Sequence, residues 1–182
     1  TDKLKEAIDL IEIASNSDVT NGKYKTWSTR GDIYSSLTDK DINIMALGNV
    51  EDFKPEHPEA PVKAADSYAK AYELAEKKFE KKDALKGLTD VVGKLNMIGN
   101  SQIQSQDYVG AYNSLSKVSM VNDIVTGAGE DAVIPEADMG NHNYVLAFCA
   151  QAAEKPEVAK SLFKSLYESG NAEESVYSSY AN

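Results

Sequence analysis

The sequence predicts an all-α fold built from antiparallel helix pairs, on three observations. Apolar residues recur three, four and seven positions apart, the spacing of one helix face. No stretch shows the sustained period-two alternation of a half-buried strand. Small residues stand at fixed offsets from large ones, as in "TWSTRGDIYSSL" (26–37), where Gly31 lies between Trp27 and Tyr34 on one stripe. A glycine between two rings predicts the close approach of another helix.

The elements follow in order. "DKLKEAIDLIEIAS" (2–15) sets Leu4, Ala7, Ile8, Ile11 and Ala14 on one face, and "YKTWSTRGDIYSSL" (24–37) is the second helix. A long connection, 38–60, holds Pro55 and Pro58 and one extra turn at "DINIMALG". "PVKAADSYAKAYELAEKK" (61–78) opens on Pro61, whose missing N–H costs nothing at a helix start, and continues in good helix formers. Asp83 is the expected N-cap of "DALKGLTDVVGKLNMIGNSQIQ" (83–104). Helices at 107–121, 141–154, 156–169 and 172–181 complete the chain, with a glycine-rich loop at 126–138.

The helices come in pairs, and the pairs repeat. Trp27-x2-Arg30-Gly31-x2-Tyr34 matches three of the four first-helix positions of the tetratricopeptide pattern, with Arg30 in place of the usual leucine. Leu95-x2-Ile98-Gly99-x2-Gln102 matches it more weakly and leads, nine residues on, to Ala111, then Leu115 and Val118. Asn143-x2-Leu146-Ala147-x2-Ala150 leads at the same spacing to Ala159, Phe163 and Leu166. Ala64, Tyr68 and Ala71 supply the second helix for Trp27, and Ala7, Ile11 and Ala14 make the first helix an unpaired second helix.

On these residues the chain resembles tetratricopeptide repeat (TPR) proteins over most of its length. "TW-x2-RG-x-IY" (26–34) and "SYAKAYEL" (67–74) look most like a group of Bacteroidetes envelope TPR-like proteins. The resemblance implies a right-handed superhelix of about three pairs plus flanking helices, as a single repeat domain over 1–182 that either stands by itself or is a fragment of a longer array. It also implies a non-catalytic interaction scaffold in the periplasm or cell envelope. The connection 38–60 and the loop 122–140 depart from the repeat.

Composition narrows the function. Hydrophobic residues are 42% of the 182-residue chain and charged residues 26%, the balance of a folded protein. A formal net charge of −10 argues against phosphate-backbone binding. The single cysteine, Cys149, excludes an internal disulfide, and its apolar run "YVLAFCA" reads as core. No apolar run approaches the ~20 residues of a membrane span. The chain opens on "TDKLKEAI" without methionine, the start expected of a processed or trimmed product.

Sites of chemistry do not assemble from the sequence, and no cofactor or metal is implied. His57 and His142 have no recurring ligand spacing, "TGAGED" lacks the lysine of a phosphate loop, and "EKKFEKKD" (76–83) is a solvated charge run. What can bind is the concave face of the first helices. The repeat register puts Lys25, Ser28, Asp32 and Ser35 there from the first pair. Asn96, Asn100 and Ile103 follow from the second, and Tyr144, Phe148 and Gln151 from the third. These amides and hydroxyls suit the backbone of a protein or peptide partner. The alternative is an envelope ligand-binding protein that captures peptide or glycan on an aromatic and amide groove. "AEESVYSSYAN" reads as the opening of a further first helix, with Val176, Tyr177 and Tyr180 on one side. That end is expected either to continue past Asn182 or to self-associate.

Overall fold

The computed structural model describes residues 2–47 and 55–169. Among them the regular elements are seven helices: α1 (Asp2–Asn16), α2 (Tyr24–Leu47), α3 (Ala60–Leu74), α4 (Lys78–Gln104), α5 (Tyr108–Gly127), α6 (Glu136–Ala152) and α7 (Pro156–Glu168). The helix expected at 172–181 lies outside the described residues. Packing follows the expected pairs: α2 on α3, α4 on α5 and α6 on α7. Neighbouring pairs join through α3–α4 and α5–α6, and α1 leans on α2. Beyond chain neighbours, α2 meets α4 and α3 meets α5, so within the first two pairs the first helices share one layer and the second helices the other.

The reason for Gly31 is the ring of Tyr68. A Cβ on Gly31 would lie 2.5 Å from Tyr68 Cε1, and one on Gly87 would lie 2.6 Å from Cδ1. The ring is therefore held between the backbones of α2 and α4, and two glycines admit it. Its hydroxyl reaches the rim and donates to Asp32 Oδ1 at 3.0 Å. Ala64, Ala65 and Ala71 on the same helix are fully buried, so α3 lies close to its neighbours along its length.

Arg30, the departure from the repeat pattern, ties three helices. Its Nε meets Glu12 Oε1 of α1 at 2.9 Å, and its Nη1 donates to Ser67 Oγ of α3 at 2.7 Å. The guanidinium lies 4.9 Å from the Tyr34 ring centre and 5.7 Å from that of Trp27. Tyr34 donates its hydroxyl to the same Glu12 oxygen at 2.7 Å. Burial raises the Glu12 pKa, but the bonds from Tyr34 and Arg30 outweigh it and hold the carboxyl below its ordinary value. Burial and the Glu12 bond push Tyr34 up to about 12. The "TW-x2-RG-x-IY" stretch is thus the clamp that joins α1, α2 and α3.

The last two pairs turn alike. Asp107 N–H reaches Gln102 O at 2.8 Å and Lys155 N–H reaches Ala150 O at 2.9 Å. Gln106 and Glu154 occupy the left-handed region, at φ 62 and 58. These matching C-caps share the register that relates Gly99 to Ala147 and Ala111 to Ala159. A Cβ on Gly99 would touch Leu115 Cδ2 at 3.3 Å, so the small residue again marks a close crossing.

Five element boundaries differ from expectation. The second helix runs on to Leu47, and not to 37, because Thr38 and Asp41 are buried polar residues with partners, one within the helix and one across the connection. Thr38 Oγ1 donates to Tyr34 O at 3.0 Å, and Asp41 Oδ2 accepts the His57 N–H at 2.9 Å. Asp83 is not an N-cap. α4 begins at Lys78, where Glu80 accepts the N–H groups of Lys77 and Glu76, and Asp83 instead accepts the Tyr24 hydroxyl at 2.7 Å. α3 ends at Leu74 as Ala75 turns extended (ψ 118). The glycine-rich loop is shorter than 126–138, since α5 reaches Gly127 and α6 starts at Glu136.

Two measurements check these packing arguments. Gly31→Ala lowers stability by about 1–3 kcal/mol through overpacking against Tyr68. Gly93→Ala, with nothing within 4 Å, raises it by about 0.5–1 kcal/mol; urea melts compare the two. Gln106→Gly and Glu154→Gly each relieve a left-handed side chain and raise stability by about 1 kcal/mol in the same assay.

Candidate functional site

The first helices, α2, α4 and α6, are those that the repeat register assigns to the inner layer, and the two seams between them differ. Between α2 and α4 the layer is closed. Lys94 Nζ lies 2.7 Å from both Ser35 Oγ and Asp39 Oδ1, spanning the two helices. Asp32 is occupied by Tyr68, and Ser28 is only 4% exposed. Of the first pair's predicted groove residues, Lys25 alone is exposed without a hydrogen-bonding or ionic partner among the described residues.

Between α4 and α6 the layer opens into a cleft of about 260 Å³. Leu115 and Val118 of α5 form its floor, and Val133, Ile134 and Pro135 form one wall. That wall is pinned: buried Ile134 donates its N–H to Asn122 Oδ1 at 3.1 Å. Asn96 and Asn100 face the cleft from α4; Asp138, Asn141, His142 and Val145 face it from α6. The Asn96, Asn100 and Asn141 carboxamides form no hydrogen bond with the described residues, so each offers a donor pair and an acceptor. His142 differs, because its Nε2 lies 2.8 Å from Ser119 Oγ of α5 and burial lowers its pKa.

Below the cleft the remaining predicted residues divide. Phe148 is 45% exposed and meets Tyr108 edge-on at 5.5 Å. Gln151 is exposed and Ile103 half-buried against the α5–α6 core. Tyr144 packs its ring 6.3 Å from Phe163 and serves the α6–α7 core. The structure thus brings Asn96 and Asn100 into one cleft and leaves Tyr144 and Ser28 in packing roles. Sequence reasoning missed Asn141, His142 and Asp138. The signal for Asn141 was present, since it precedes Ala147 by the interval that separates Lys25 from Gly31. Asp138 had none, because it was read as loop.

A larger cleft, about 530 Å³, lies between α1 and the second half of α2. Leu4, Ile8 and Leu37 line it, and its rim carries both signs of charge, with Lys40 and Glu56 paired at 2.8 Å. No group of three or more His, Cys, Asp or Glu among the described residues is placed to hold a metal ion. None of the described helices is long and apolar enough to cross a membrane. Comparison with protein-family models, curated proteins and solved structures finds no match to the chain.

Cys149 is fully buried, and burial raises its thiol pKa. A thiol reagent therefore labels the native protein slower than the urea-unfolded chain by about two orders of magnitude or more. Absorbance of the released aromatic thiol reads the rate.

Proposed function

We propose that the chain is a non-catalytic helical scaffold that binds an extended segment of a protein partner along its inner face, at the cleft between α4 and α6. The observation that carries this reading is the set of three carboxamides, Asn96, Asn100 and Asn141, with no hydrogen-bond partner among the described residues and turned to one cleft. An extended backbone alternates N–H and C=O groups, and a carboxamide answers either. The layered helix pairs supply a rigid frame for them. A right-handed TPR-like superhelix forming one repeat domain, and a place in a bacterial envelope, belong to the same proposal and rest on the resemblance of 26–34 and 67–74. Net charge −10 keeps nucleic acid outside it.

Exposed Phe148 beside Tyr108 favours a second reading, in which a peptide or glycan stacks at the aromatic end of the groove. A random peptide library panned over the immobilised protein tests the first. Recovered peptides should crosslink to a photoreactive residue at exposed position 93, one turn before Asn96 on the same face of α4, and not at exposed position 113 on α5. Asn96→Ala with Asn100→Ala should weaken them at least tenfold while the melting temperature holds. Peptides that crosslink at 113 and ignore the double substitution would overturn the inner-face reading. Retention on a glycan array, with no peptide recovered, would favour the second.

A further inference from the structure

The cleft that carries the proposed function also has a charge, and it points to the kind of residue bound there. Of the side chains lining it, Asp138 brings the one carboxylate, and no lysine or arginine is among them; His142 turns its Nε2 to Ser119 Oγ at 2.8 Å. The Asp138 carboxylate forms no ion pair or hydrogen bond with the described residues, while its backbone N–H donates to Pro135 O at 2.9 Å. Behind it the surface is aliphatic, with Leu115, Val118, Ile134 and Val145.

We propose that the α4–α6 cleft is a specificity pocket for one lysine or arginine side chain of the bound segment; the proposal rests on the inner-face reading above. The shape fits. A volume near 260 Å³ is below the ~300–1,000 Å³ of sites for drug-sized ligands, and it suits a single long side chain. Lysine and arginine have an apolar stem and a cationic head. The stem lies along the aliphatic floor and wall, and the head reaches the Asp138 carboxylate. Both heads only donate hydrogen bonds, so the acceptor oxygens of Asn96, Asn100 and Asn141 complete their shell. A carboxylate guest would meet like charge at Asp138, which gives the pocket its discrimination.

The overall negative charge of the protein attracts any basic peptide, so the test must separate the pocket from the general field. Glu136 provides the control. It occupies the same first turn of α6, is exposed, and does not line the cleft. With a library peptide that crosslinks at position 93, Asp138→Asn should weaken binding at least tenfold and Glu136→Gln less than threefold. Replacing the peptide's basic residue with citrulline or norleucine should cost the same tenfold, with no further loss on Asp138→Asn. Equal effects of the two substitutions would overturn the pocket and leave the inner-face reading standing. So would recovered peptides with no basic residue at a constant position. Absence of any peptide that crosslinks at position 93 would overturn both.

Discussion

The ring of Tyr68 between two glycine backbones sets the spacing of the first half of the molecule. α2 and α4 can meet α3 at this distance only where neither carries a side chain, at Gly31 and Gly87. An aromatic ring held on both faces fixes distance and rotation together, as a smaller aliphatic group would not. Its hydroxyl then reaches Asp32 at the rim, so the buried polar tip has a partner. The α2–α4 seam inherits this geometry, and Lys94 closes it by bridging to Ser35 and Asp39.

On the other side of α2, polar chemistry does what apolar packing does elsewhere. Arg30 stands where the repeat pattern has leucine, and its fork reaches Glu12 on α1 and Ser67 on α3. Removing one member would strand the others in a half-buried site, so the cluster specifies position more than it adds stability. It also explains the attachment of α1, whose Leu10 and Ile13 are 60% and 69% exposed while Ile11 is buried. The inner layer is thereby closed at its first seam and open at its second. The open seam is where unpartnered amides collect.

Much of this was legible in the chain. Helix periodicity located the seven described helices, and the small residues Gly31, Gly99 and Ala147 stood at helix crossings as their spacing required. The pairing of α4–α5 and α6–α7 followed from the interval between small residues in successive helices, and that of α2–α3 from Ala64, Tyr68 and Ala71 across the long connection. Boundaries were less legible wherever polar residues turned inward. Thr38 and Asp41 looked like loop because their burial depends on Tyr34 O and on the His57 N–H, which is sixteen positions away. The start of α4 was hidden in a charge run whose Glu80 caps it.

The site divided in the same way. Register alone put Asn96 and Asn100 on the inner face, because a side chain's direction from a helix depends only on its position in the turn. Register could not say which of those directions meet solvent. Ser28 is covered, Ser35 and Asp32 are engaged by Lys94 and Tyr68, and Tyr144 turns to Phe163. The cleft itself needs α4, α5, α6 and the 133–135 wall together, elements far apart in the chain. The sequence by itself determined the helices, their pairing and the face each residue takes, since those are local periodicities. Only the tertiary structure decided which seam stays open and which amides lack partners, because both depend on distances between helices that no local pattern encodes.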